Sequence, residues 1–120
     1  MNLSLSQEMR FMKDFNLENK IIECLKPIDP AMVILFCSRA WGSKEKDSDI
    51  DLYVVTKDLD MPNSFADKMR IKSKVSNRLL ELKKQFGADL IVHTIPMHQR
   101  FITMDSSFAR KIMQQGKILI

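Results

Sequence analysis

Asp49 and Asp51 stand two apart at the head of an otherwise apolar run that ends at Thr56, and Asp89 interrupts a second apolar run from Ala88 to Ile95. Side chains two apart on a strand share a face and are spaced along it by about 6–7 Å, so the first two carboxylates converge on one region. Carboxylates that close repel each other unless a cation neutralises them, and hard oxygen donors of this kind suit Mg²⁺ or Mn²⁺. If the strand of Asp89 lies beside that of Asp51, three acids can hold two ions about 3.5–4 Å apart. One ion would then activate an attacking oxygen and the other would bind the oxygens of a leaving phosphate.

A second group of residues complements the acids. Ser38-Arg39-Ala40-Trp41-Gly42 directly follows the apolar run Ala31 to Phe36, with Cys37 between. A turn in that place, leading into a short helical piece, offers free backbone N–H groups and a serine hydroxyl, which together suit phosphate oxygens. Phosphate at the turn and metal at the acids are two halves of a nucleotide site.

Other candidates carry less. Asp47, Asp49, Asp51 and Asp58 have the positions of a calcium loop, but Leu52 stands where that loop needs glycine and Tyr53-Val54-Val55 reads as strand, so that reading is rejected. Cys37 has no histidine or base near it in sequence and reads as a small buried residue rather than a nucleophile. His93 shares the strand face of Asp89 and could line the site, though a histidine at a strand end is more often structural. His98 is less informative still, and the nine methionines are scattered without a ligand spacing.

The elements that must position these residues follow from periodicity. Asn16 caps a helix whose apolar face is Leu17, Ile21, Ile22 and Leu25, ended by Pro27 and Pro30. Ala31 to Phe36 reads as a strand covered on both faces, and Asp49 to Thr56 as a second strand with Ile50, Leu52 and Val54 on one face. Ser64 with Asp67 resembles a capping box opening one long helix, with Phe65, Met69, Val75, Leu79, Leu82 and Phe86 at helical spacing and Gly87 as its C-terminal cap. Ala88 to Ile95 is a third strand stopped by Pro96. After a short polar connection, Ser106 or Ser107 caps a last helix that carries Phe108, Ile112 and Met113 inward and ends at Gly116, before a short strand or tail at 117–120. This order predicts a small α/β or α+β domain, a mixed sheet with its helices packed on one face.

Composition bounds the rest. A chain of 120 residues that is 45% hydrophobic and 28% charged is long enough for one domain with a real core and is globular in character. One domain over 1–120 is expected, with 1–15 as an N-terminal helix or a loose extension. The longest apolar run, Ala31 to Cys37, is far short of the roughly 20 residues of a membrane span, and no secretory leader is recognisable, so a cytoplasmic location without membrane contact is expected. Two cysteines without a CxxC spacing exclude a disulfide framework or structural zinc. A net charge of +4 permits phosphate-rich partners without indicating specific nucleic-acid binding, and the Lys and Arg residues of 68–84 read as a solvated helix face.

The stretch FCSRAWGSKEKDSDIDLYVV resembles the signature of the DNA polymerase β-type nucleotidyltransferases, especially the minimal nucleotidyltransferase (MNT) group. In that family a strand ends in Gly-Ser, a loop follows, and Asp-x-Asp opens the next strand. Ser38 to Asp49 has that spacing, and SDIDLYVV matches the second half. The likeness extends over 17–120, because Gly87-Ala-Asp-Leu-Ile-Val resembles the strand of the third carboxylate and SFARKIMQQGKILI the closing helix. It implies the polymerase β-like fold and transfer of a nucleoside monophosphate from an NTP, ATP first among them, to a hydroxyl. By position, Asp49 and Asp51 would bind two Mg²⁺ or Mn²⁺ ions, and Asp89 would bind one and help deprotonate or orient the acceptor. Cys37, Ser38, Arg39 and Gly42 would hold the nucleotide.

Two departures stand out. Cys37 occupies the family's glycine position, where a Cβ restricts φ and the approach of phosphate. Trp41 replaces a basic residue often found there, leaving either packing or stacking on a base as its role. The resemblance also implies a partner: proteins of the minimal group pair with small helical HEPN proteins in toxin–antitoxin modules, some by adenylylating a tyrosine of the toxin. A catalytically weakened protein that acts by binding is the alternative reading, and a homo- or hetero-oligomer is compatible with either.

Overall fold

The computed structural model describes residues 17–36 and 50–120. Cys37, the Ser38–Gly42 turn, Asp49, the cap at Asn16 and the 1–15 segment lie outside these residues.

The first described helix, α1 over 17–25, buries Ile21 and Leu25 completely. Pro27 then enters a 3-10 turn, Lys26–Ile28, closed by Asp29 at a left-handed φ of 48°. Four strands follow in the described residues: β1 (Met32–Phe36), β2 (Ile50–Val55), β3 (Ala88–His93) and β4 (Lys117–Ile118). Their order across the sheet is β3-β2-β1-β4. β1 is antiparallel to β2 and to β4, whereas β2 and β3 are parallel, so the sheet is mixed as expected. A parallel pair needs a crossover, and the helical stretch between β2 and β3 supplies it.

That stretch is two helices rather than one, α2 (Phe65–Arg78) and α3 (Leu80–Phe86). Ser64 caps α2 as predicted, its hydroxyl accepting the Asp67 N–H at 3.1 Å. At Leu79 the backbone tightens to an i→i−3 bond, Leu79 N–H to the Ser76 carbonyl at 3.0 Å, and the Lys83 ammonium spans the junction to the Ser76 hydroxyl at 2.6 Å. The changed phase points Ile71, Val75, Leu79 and Leu82 at the sheet while Phe65 and Met69 are left exposed, so the apolar stripe is not the full set that periodicity suggests. Gly87 ends α3 at φ 68°, a conformation glycine adopts without the steric cost of a Cβ.

The polar connection expected after Pro96 is instead a helix, α4 (Ile95–Met104). Pro96 stops β3 only in the sense that it occupies the first turn of the next element, where its missing N–H costs nothing. Thr94, fully buried, is the N-cap. The last helix, α5 (Ser107–Gln115), is capped by Ser106, whose hydroxyl accepts the Ala109 N–H at 3.0 Å. Ile112 and Ala109 are its buried residues; Phe108 and Met113 are partly exposed.

The expectation of helices on one face is corrected here. Ile50, Leu52 and Val54 join Val33 and Leu90 in a core with Ile21, Leu25, Val75, Leu79 and Leu82, so α1, α2 and α3 cover one face. Ile34, Phe36, Tyr53 and Val55 pack with Ile112 and Phe101, so α4 and α5 cover the other. All six residues of β2 are buried in consequence. The alternation of β2 read as an inner and an outer face, but both faces are inner once α4 exists.

Close packing around Gly116 fixes β4 to β1. A Cβ there would collide with the Ile112 carbonyl oxygen and with Cγ2 of Ile34, and the first of these is backbone that has no rotamer to give way. Gly116→Ala should therefore lower stability by about 1–3 kcal/mol, read as a lower unfolding temperature in calorimetry with the far-UV spectrum unchanged.

Candidate active site

β2 is the central strand that matters chemically, because it pairs with β1 on one side and β3 on the other. Its register with β3 sets Asp51 directly beside Asp89, and its register with β1 sets Asp51 beside Phe36. Adjacent strands lie about 4.8 Å apart, and residues in direct register share a face, so the two carboxylates start from neighbouring positions on the same surface. The adjacency that strand patterning left open is present. Asp51 is only 3% exposed, on a central strand where a carboxylate is costly without compensation. Asp89, on the edge strand, is exposed. The pair thus has an inner member held rigidly and an outer member open to solvent.

Both acids lie at the end of the sheet where β1 finishes and β2 and β3 begin. The antiparallel β1/β2 pairing brings the exit of β1 to this end, which is the exit that leads toward Cys37 and Ser38. Among the described residues no group of three acidic, histidine or cysteine side chains gathers to hold a metal ion. The donor chemistry of Asp51 and Asp89 suits a hard divalent cation, and Asp49, the third predicted ligand, lies outside the described residues.

The same face continues along the strands into Ile34, Tyr53 and Ile91, then Met32, Val55 and His93. Phe36 meets Phe108 of α5 edge-on at 6.0 Å, and Phe101 of α4 stacks on Tyr53 at 5.2 Å with the rings 23° apart. These aromatic contacts roof the face beyond the acids. His93 is on the predicted face, but four residues along β3 from Asp89, about 13 Å at a strand's rise, so it belongs to the far end.

There it joins a polar cluster that sequence alone did not reveal. The Tyr53 hydroxyl lies 3.0 Å from Nδ1 of His93 and 2.7 Å from Nδ1 of His98. One hydroxyl proton serves one acceptor, so the hydroxyl donates to one ring and accepts an N–H from the other. With both rings neutral, the two histidines therefore hold different tautomers. Burial pushes both histidines below their ordinary value, and the positive charge of His98 adds to the effect on His93. Burial likewise pushes the Tyr53 hydroxyl up. The signal that could have found this cluster is the Thr94-x-Pro96 helix start, since α4 is what carries His98 and Phe101 over Tyr53.

The pH dependence follows in sign. Histidines that titrate lower when folded than the 6.5 of a free side chain leave the unfolded chain binding more protons, so stability is fully present above pH 6.5 and falls as pH drops below it. Unfolding temperature should be level from pH 8 to 7 and decline steadily toward pH 5. Proton NMR titration of the two imidazoles should place both midpoints below 6.5.

Among the described residues no helix is long and apolar enough to cross a membrane. Comparison with curated proteins and with solved structures gives no significant match. The family model described as "Polymerase beta, Nucleotidyltransferase" matches residues 19–120, which include Ser38, Gly42, Asp49, Asp51, Asp89 and the last helix. With the mixed sheet and the register of Asp51 against Asp89 behind it, that match over most of the chain means that this protein belongs to the polymerase β nucleotidyltransferase family.

Proposed function

We propose that this chain transfers the nucleoside monophosphate of an NTP, ATP by preference, to a hydroxyl acceptor on a partner protein of the helical HEPN type. The observation that carries the reading is the side-by-side register of Asp51 and Asp89 in a chain of this family. In this reading Asp49, Asp51 and Asp89 hold two divalent cations, Mg²⁺ or Mn²⁺. When bound, the ions supply the positive charge that the triphosphate oxygens and the leaving pyrophosphate require.

The chain's own residues divide the remaining work. Asp51, buried on the central strand, fixes the inner side of the site with little freedom to move, which favours positioning over flexible capture. Asp89, exposed on the neighbouring strand, is open to an incoming hydroxyl and takes its proton as the oxygen attacks the α-phosphorus. The bond from that phosphorus to the bridging oxygen breaks, and pyrophosphate leaves with the electron pair. Ser38, Arg39 and Gly42, with the backbone at Cys37, hold the triphosphate. The acceptor comes from another molecule if it is a tyrosine, because the chain's one tyrosine, Tyr53, is fully buried with its hydroxyl engaged by two histidines.

One feature favours a second reading. Cys37 stands at the family's glycine position, and a Cβ there hinders close approach of phosphate, which would leave a protein that neutralises its partner by binding alone.

Incubation with α-labelled ATP, Mg²⁺ and a HEPN partner tests both. Transfer of label to the partner, reduced about 10²–10³-fold by Asp51→Asn and by Asp89→Asn in folded protein, is the outcome expected of catalysis. Chelation of the cation should abolish transfer as well. Label transfer that appears only after Cys37→Gly, with partner binding equal throughout, would favour the binding role.

A further inference from the structure

β3 is an edge strand, and its outer side is not paired by any described residue. The Ile50 N–H donates to the Gly87 carbonyl at 3.2 Å and the Thr56 N–H to the His93 carbonyl at 2.9 Å, which sets the phase of the parallel ladder. Alternate residues of a strand turn both backbone groups to the same side. Asp89, Ile91 and His93 therefore serve β2, whereas Ala88, Leu90 and Val92 direct N–H and C=O outward.

Two clefts meet at this edge, one along β3 from Leu90 to His93 and the other reaching the strand at His93. The first, about 250 Å³, lies between β3 and α2, with Met69 and Lys72 on its wall. The second, about 310 Å³, lies toward α4, with Arg100 and Phe101. Pro62, Lys68, His93 and Met97 border both, so the clefts are continuous. Among the described residues no acidic one lines either cleft. Among the described residues Lys68, Lys72 and Arg100 form no ion pair, while other cations such as Lys57, Lys74 and Lys117 do. Backbone groups in strand phase, apolar walls and three cations without an ion pair among the described residues thus occur together.

We propose that the outer edge of β3 docks an extended acidic segment of a partner protein as a fifth strand. Successive side chains of an added strand point to opposite faces, so the set facing α2 would lie along the first cleft and the set facing α4 would reach the second cleft beside His93. Carboxylates in either set meet Lys68, with Lys72 on one side and Arg100 on the other. A second copy of this chain is the poorer occupant, because pairing β3 with itself would set these cations against their own duplicates. The docking depends on an edge that no described residue pairs, and on its charges, not on nucleotide transfer, so it stands or falls apart from the proposed activity.

The test uses the full chain and a fluorescent, blocked octapeptide of sequence Val-Glu-Glu-Val-Val-Glu-Glu-Val, which presents valine and glutamate to both clefts. Saturable binding is expected by anisotropy, with NMR shifts confined to 88–93 and the two cleft walls. Methylating every peptide nitrogen should weaken binding about tenfold or more, because the ladder cannot form. Lys68→Glu combined with Arg100→Glu should weaken it by a similar factor while leaving the circular dichroism unchanged, both side chains being exposed. Binding unaffected by N-methylation overturns the proposal in favour of plain charge attraction. Absence of binding at millimolar peptide overturns it outright, and a dimer in light scattering with the Leu90 and Val92 amides protected would reassign the edge to a second copy.

Discussion

The parallel ladder between β2 and β3 is the constraint on which the site depends. Its register sets Asp51 beside Asp89, and a slip of one residue would send Asp89 to the opposite face, among Val75, Leu79 and Leu82. The register is held from both sides. Leu52 and Leu90 are locked into the core under α1 to α3, and Tyr53 and Ile91 into the core under α4 and α5. Each apolar row acts against slippage, so the acids inherit a geometry set by the burial of their neighbours. Asp51 is thereby held in a buried position of the central strand beside the exposed Asp89.

The two-faced covering of the sheet also explains how little of the acid face is open. α5 reaches Phe36 through Phe108, and α4 covers Tyr53 through Phe101, while at the end where β1 finishes and β2 and β3 begin Asp89 is exposed. The Tyr53, His93 and His98 cluster belongs to this roof. Its hydrogen bonds satisfy polar atoms between sheet and helix and give α4 one position over β2, which apolar contact alone would specify less tightly. Asp51 and Asp89, at one end of the β2/β3 ladder, and the outer edge of β3 are different parts of one small sheet.

Much of this was legible in the residues. The strands showed as apolar runs, Ser64 and Gly87 marked the ends of the crossover, and Asp89 announced itself as an acid inside a strand. Three features were not legible for physical reasons. Pro96 reads equally as the end of a strand or the first turn of a helix, and only the buried Thr94 cap and the sheet face beneath α4 decide between them. The break at Leu79 has no proline or glycine to mark it; it follows from two helical segments each aligning with a twisted sheet. Covering of β2 and β3 on both faces was hidden because Tyr53 and His93 look like a solvent-facing row until a helix is placed over them, although the apolar run of β1 already read as covered on both.

The sequence by itself determined the chemical inventory: three aspartates, Ser38 and Gly42, the cysteine where the family has glycine, and the strand and helix phases. These are local properties, governed by residue type and by periods of two and 3.6. Tertiary structure alone decided which strand lies beside which, that Asp51 is buried while Asp89 is exposed, and that β3 is left at an edge bordered by cation-lined clefts. Those properties arise from contacts between segments far apart in the chain, where burial of apolar rows on both faces of one sheet outweighs any preference a single segment carries.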